Sequence, residues 1–165
     1  MKILKWFGIA LACLGLLVGL IALVGFFLPQ DHVASGRATF NRPIQDVWAA
    51  ITDVESFPAW RSDVSRIEVL SHEPRRWREV GSDTLTFEVV EAHPPSRLVS
   101  AIADRDLPFG GRWVYELKPA GSGTELVITE HGEVYNPVFR FVSRFVIGHT
   151  ATIDTYLTDL QKRLD

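Results

Sequence analysis

The chain has 165 residues, 47% hydrophobic and 22% charged, with a formal net charge of −3. Its length holds one domain and an appendage, and its composition is that of an ordinary globular chain. Over 30–165 there are 15 basic against 20 acidic residues, a net of −5, which is a poor balance for gripping nucleic acid.

Residues 6–28, WFGIALACLGLLVGLIALVGFFL, run for 23 positions without a charge. A helix of that length extends about 35 Å, enough to cross a bilayer core with some tilt. Such a helix satisfies its own backbone polar groups. Trp6 at one end and Phe26–Phe27 near the other suit the two interfaces. The competing reading is a cleaved signal peptide, which carries a shorter apolar region of about 7–15 residues and a small-residue cleavage site. FFLPQDHVASG shows no clear A-x-A. Residues 1–29 are therefore read as a single-pass transmembrane anchor, contacting the membrane through 6–28, and residues 30–165 as the folded domain.

Cys13 is the sole cysteine. Too few apolar residues precede it, and too many follow, for a lipoprotein signal. The domain thus has neither a disulfide framework nor a thiolate metal site. Lys2 and Lys5 precede the span, whereas Asp31, Arg37 and Arg42 follow it. By a narrow margin this favours a cytoplasmic N-terminus and an exported domain.

After Pro29, HVASGRATF (32–40) reads as a strand. In NRPIQDVWAAITD, Asn41 is placed to cap a helix and Pro43 to sit in its first turn. Val47, Trp48 and Ile51 make the buried face. A second short helix around VESFPAW is interrupted by Pro58. Six strands follow: RIEVL (66–70), RWREV (76–80), DTLTFEVVEA (83–92), RLVSAIAD (97–104), RWVYELK (112–118) and TELVITEHGEVY (124–135). From Pro137 to Leu164 the pattern is helical. At about 100° per residue, Val138, Val142, Phe145, Val146, His149, Ile153, Tyr156, Leu157, Leu160 and Leu164 fall in one arc of roughly 120°. One apolar stripe is thus offered to a curved sheet.

This β–αα–β6–α order resembles the START-like (SRPBCC) superfamily in its polyketide cyclase/dehydrase-like branch. The resemblance is carried by RPIQDVWAAITDVESFPAWRSDVSRIEVL (42–70), DLPFGGRWVYEL (106–117) and GTELVITEHGEV (123–134). The first is the most specific: V-W on a helix, then Asp, then F-P-x-W, then a strand. It covers 32–165 and implies an α+β helix-grip fold, a curved antiparallel sheet wrapped on a long C-terminal helix. It implies function less sharply. The superfamily spans lipid carriers, hormone receptors, cyclases, chaperone activators and oxygenase domains, and fold alone supplies no activity.

The final hairpin can be registered from its turn. Gly121-Ser122 is a favoured two-residue turn pair. Leu117 then faces Leu126, Tyr115 faces Ile128 and Trp113 faces Glu130. On the other face Lys118 meets Glu125, Glu116 meets Val127 and Arg112 meets His131. A slip of one residue would mix an apolar and a charged face. Glu130 is therefore expected inside, and a buried carboxylate must be paired, hydrogen-bonded or neutral. His149, near the middle of the helical stripe, is the expected partner.

Trp113, Tyr115, Glu130, His149 and Tyr156 are read as lining one apolar cavity with a few converging polar groups, the usual form of a small-molecule site. Phe145 extends the stripe toward it. Phe57, Pro58 and Trp60 either gate the cavity or pack. Leu107–Gly111 forms either a mobile loop over the entrance, with Phe109 toward the ligand, or a tight turn. RRWRE (75–79) is either a patch for acidic headgroups or a charged strand edge.

Three functions remain. The first is membrane-anchored binding, transport or sequestration of a hydrophobic small molecule or lipid between the sheet and the C-terminal helix. The second is a cyclase- or dehydratase-type enzyme with Glu130 and His149 as acid and base. The third is a protein-interaction module. The five histidines (32, 72, 93, 131, 149) show no close ligand pairing, and no GxGxxG, P-loop or nucleophile elbow occurs, so no metal and no cofactor is expected.

Overall fold

The computed structural model describes residues 2–165. Met1, the first residue of the expected anchor, lies outside them. Helix α1 (Lys2–Phe27) is long and apolar enough over Lys5–Phe27 to cross a membrane. Nearly all its described side chains are exposed, so it has no place in a soluble core.

The remaining chain forms one seven-stranded antiparallel sheet. The strands are β1 (Asp31–Phe40), β2 (Val64–His72), β3 (Arg75–Gly81), β4 (Thr84–His93), β5 (Arg97–Ile102), β6 (Phe109–Ala120) and β7 (Gly123–Val134). Their order is β1-β7-β6-β5-β4-β3-β2. This is the α+β helix-grip architecture. Sequential strands are neighbours, and β1 alone crosses to close beside β7.

The β6–β7 hairpin has the expected register. Trp113 pairs with Glu130, Tyr115 with Ile128, Leu117 with Leu126 and Arg112 with His131. Lys118 Nζ lies 2.7 Å from Glu125 on the solvent side. The inward residues Tyr115, Leu117, Leu126 and Ile128 are buried, as alternation demands.

Two helical pieces lie between β1 and β2. Helix α2 (Ile44–Thr52) buries Val47 and Ile51, and a 3₁₀ segment (Val54–Ala59) buries Val54 and Phe57. Pro43, not Asn41, is the N-cap of α2, and it makes no side-chain cap. The Asn41 side chain instead lies 3.3 Å from Ser122 Oγ at the hairpin turn.

The C-terminal stretch is not one continuous helix. It divides into α3 (Pro137–Val142), a π turn (Ser143–Ile147) and α4 (Ala151–Leu164). The break is at Gly148, with φ 83° and ψ 152°. That region is almost closed to residues bearing a Cβ. Asn136 caps α3, accepting from the Val138 and Phe139 amides. Helix α4 grips the sheet through Ile153, Tyr156, Leu157 and Leu160, all buried. The Ser62 amide and hydroxyl donate to Asp159 Oδ2 at 2.8 and 2.6 Å, pinning α4 to the start of β2. Those bonds hold the Asp159 carboxyl below its ordinary pKa.

Candidate functional site

A cavity of about 290 Å³ opens between the sheet and the α2–3₁₀ layer. Its floor comes from β3–β6, including Trp77, Phe87, Val89, Ser100, Trp113 and Tyr115. Its roof is Trp48, Ile51, Thr52, Val54 and Phe57. The expected position, against the C-terminal helix, is therefore displaced. The large inward side chains of α4 fill the concavity beneath β1, β7 and β6. Open space is left further along the sheet.

The polar centre is Arg61, 7% exposed, reached just after the 3₁₀ segment. Its Nη1 donates to Glu79 at 3.0 Å, and its Nε and Nη2 donate to the two Asp63 oxygens at 3.1 and 2.6 Å. The Trp77 indole also donates to Glu79, at 2.9 Å. Aromatic faces cover the guanidinium, with Phe57 at 5.2 Å and Tyr156 at 5.1 Å. Burial works against the Arg61 charge, but Glu79 and Asp63 outweigh it and raise its pKa. Burial pushes the Glu79 carboxyl up, while Arg61 and the Trp77 N–H pull it back. The result is a bidentate, charge-assisted pair inside an otherwise apolar wall.

Trp113 and Tyr115 line the cavity. Burial raises the pKa of the Tyr115 phenol, and the Ser100 hydroxyl moderates that. Tyr156 and Trp60 stand in the packed layer behind, with ring centroids 5.4 Å apart. The Tyr156 hydroxyl is buried without a hydrogen-bond partner among the described residues. Phe57 is buried in the roof, whereas Pro58 is exposed.

Glu130 and His149 lie elsewhere. Glu130 is one strand beyond the cavity wall, across from Trp113. His32, on β1, stands between the two: its Nε2 is 3.7 Å from Glu130, and its ring meets the His149 ring edge-on with centroids 3.9 Å apart. Burial raises the Glu130 carboxyl, opposed by the Trp113 indole. Burial and then His149 lower His32, and burial and then Arg144 lower His149. His149 occupies the break after Gly148 and not a helical turn. Phe145 is exposed on the π turn, and Phe109 begins β6 opposite Val134.

Arg61, Asp63 and Glu79 carry the centre, and sequence reasoning passed over them. The signal was present: Trp77 and Glu79 are two apart and so share one face of a strand. RRWRE does not form a strand edge, because β2 occupies that edge and β3 is internal. Arg76 and Arg78 face Glu88 and Glu68, while Arg75 lines the cavity.

A family model described as polyketide cyclase / dehydrase and lipid transport matches residues 31–165. The chain belongs to that family. Solved structures of START-like proteins share its fold. A protein from Thermus thermophilus, TTHA0849, superposes with a TM-score of 0.69 at 19% identity, covering 81% of this chain and 97% of that one. A START superfamily protein from Mycobacterium smegmatis gives 0.66 at 15% identity, with 81% and 97% covered. The di-domain aromatase/cyclase StfQ of steffimycin biosynthesis gives 0.65 at 13%, covering 82% of this chain and 51% of its own. At these identities the likeness is one of fold. No protein with a curated description matches significantly. In this member of the polyketide cyclase / dehydrase and lipid transport family, α1 lies outside the matched region. Its length and composition fit either a membrane span or a signal sequence.

Proposed function

We propose that the protein binds a hydrophobic small molecule or lipid in the cavity beneath α2, for transport or sequestration at a membrane in which α1 is embedded. The observation that carries this reading is an aromatic, mostly apolar cavity with one buried guanidinium in its wall. That combination is the usual form of a small-molecule site. An arginine has five N–H donors. All three nitrogens of Arg61 already serve Glu79 and Asp63, with Nη1 lying 3.0 Å from both Glu79 oxygens. One cation already stands between two carboxylates. Arg75, also in the lining, has a buried Nε without a partner among the described residues, so the fitting ligand is largely apolar with an oxygen acceptor. Trp113 and Tyr115 supply flat walls for rings or chains. Titration with the neutral fluorophore N-phenyl-1-naphthylamine tests this. Saturable binding to the wild type, lost in Val89→Trp with folding intact, is expected; equal uptake by both proteins would oppose it.

The anchoring rests on the length and apolarity of α1. Arg140 Nη1 donates to the Leu28 carbonyl at 3.4 Å, so the end of α1 is held against the domain. Lys2 and Lys5 ahead of the span support a cytoplasmic N-terminus and an exported domain. Protease digestion of intact cells should therefore remove the domain.

Acid–base catalysis is a second reading, favoured by the raised Glu130 carboxyl beside two imidazoles. It requires the cavity ligand to be altered by the wild type and recovered unchanged from Glu130→Gln.

A further inference from the structure

Residues 135–147 present an apolar surface that no part of the domain covers. Phe139, Phe145, Val146 and Ile147 are 48%, 58%, 71% and 62% exposed. On an ordinary domain surface, large apolar side chains exposed together in one short segment point to an interaction site. The patch has a fixed relation to α1. Helices α1 and α3 pack together, and at Gly25 they approach so closely that an added Cβ would collide with the Pro137 carbonyl. Arg140 fastens the corner, donating to the Val134, Tyr135 and Leu28 carbonyls at 2.7, 3.0 and 3.4 Å.

The depth follows from that contact. The apolar stretch of α1 ends at Phe27. Gly25 is two residues inside that end, about 3 Å along the axis. Whatever packs on Gly25 therefore sits at the edge of the hydrocarbon when α1 spans a bilayer. Phe26 and Phe27, 67% and 78% exposed, lie at the same level. Aromatic side chains favour that layer, and the Arg144 head can stay in the headgroups beside it.

We propose that α3 and the π turn form a second membrane contact, in which Phe139, Phe145, Val146 and Ile147 enter the bilayer surface beside the exit of α1. This rests on α1 being a retained span. The two contacts, one spanning and one lying in the interface, would hold the domain in one orientation instead of on a free tether. The π turn and the Gly148 break turn these side chains away from the sheet. That gives a role to Phe145 and Val146, which by angle alone belong to the stripe of the gripping helix.

The test uses the full chain in vesicles of phosphatidylcholine and phosphatidylglycerol. Cys13→Ser removes the only cysteine. An environment-sensitive NBD label is then placed in turn at Val146→Cys, Ile147→Cys, Leu16→Cys in α1 and Val90→Cys on β4, all exposed positions whose labelling spares the core. The proposal expects blue-shifted emission at 146 and 147, quenched by nitroxides near the lipid headgroup. Label 16 should be quenched by deep nitroxides and label 90 by none. Quenching at 16 without any at 146 and 147 overturns the proposal and leaves the span standing. No quenching at 16 removes the span and the proposal with it. Energy transfer between labels at 146 on separate copies, without lipid quenching, would assign the patch to self-association and overturn the proposal.

Discussion

Arg61 and Glu79 face each other at 3.0 Å inside the cavity wall, with the Trp77 indole sharing the same carboxylate. Removing one member of such a pair strands a buried charge, at a cost of about 3–5 kcal/mol. Arg61→Met is therefore expected to lower unfolding stability by about that amount, measured by denaturant titration. Arg61→Met with Glu79→Gln should recover part of the loss, because no uncompensated carboxylate then remains beside Trp77. A double variant less stable than the single one would show that the pair is not the origin of the effect.

Tyr156 has the opposite character. Its ring packs against Trp60, Trp113 and Tyr115, but its hydroxyl is buried without a partner among the described residues. A buried unsatisfied hydroxyl costs on the order of 1–3 kcal/mol. Tyr156→Phe keeps the ring and its contact with Arg61, so it is expected to stabilise the protein within that range. A rise in melting temperature is the readout; a fall would mean that the hydroxyl is satisfied in solution.

Glu130 supplies the pH dependence. Burial raises its carboxyl above the ordinary 4.5. The folded chain thus holds this proton to a higher pH than the unfolded chain. The stability it contributes is complete below the unfolded pKa and is lost as pH rises through the folded one. Its neighbours His32 and His149 are lowered from 6.5 by burial, so at pH 8 they are neutral and do not offset the carboxylate. Glu130→Gln should raise the melting temperature at pH 8 and leave it nearly unchanged at pH 4. A gap that widens toward acid pH would contradict the assignment.

Gly148 separates the π turn from α4 in a conformation that residues with a Cβ rarely adopt. Gly148→Ala should cost about 1–3 kcal/mol by strain. An unchanged unfolding midpoint would indicate that the C-terminal stretch can run as one helix.

These residues also show what the sequence could reveal. The Trp113–Glu130 pairing was legible because a two-residue turn and a period of two fix a register over a whole hairpin. The helix-grip order was legible for the same reason, since each element carries its own periodicity. The Gly148 break was hidden because apolar residues keep their helical angle on both sides of it. Nothing in that angle says that residues 138–147 leave the sheet for α1. The Arg61–Glu79 pair joins positions 18 apart through the packing of the 3₁₀ segment on β3. No local pattern encodes that contact, and the run of arginines around Trp77 has the composition of a solvated surface. Glu130 and His149 were separated from the cavity by the bulk of the α4 side chains, a matter of volume that periodicity does not report.

The central claim is that the cavity beneath α2 holds a hydrophobic ligand. Its most direct test is mass spectrometry of an organic extract from the full-length protein purified in native-membrane nanodiscs, beside Val89→Trp prepared identically. The account predicts an apolar, oxygen-bearing molecule enriched in the wild type near one per chain and depleted in the folded variant. Identical extracts from both, matching the surrounding lipid, would contradict it.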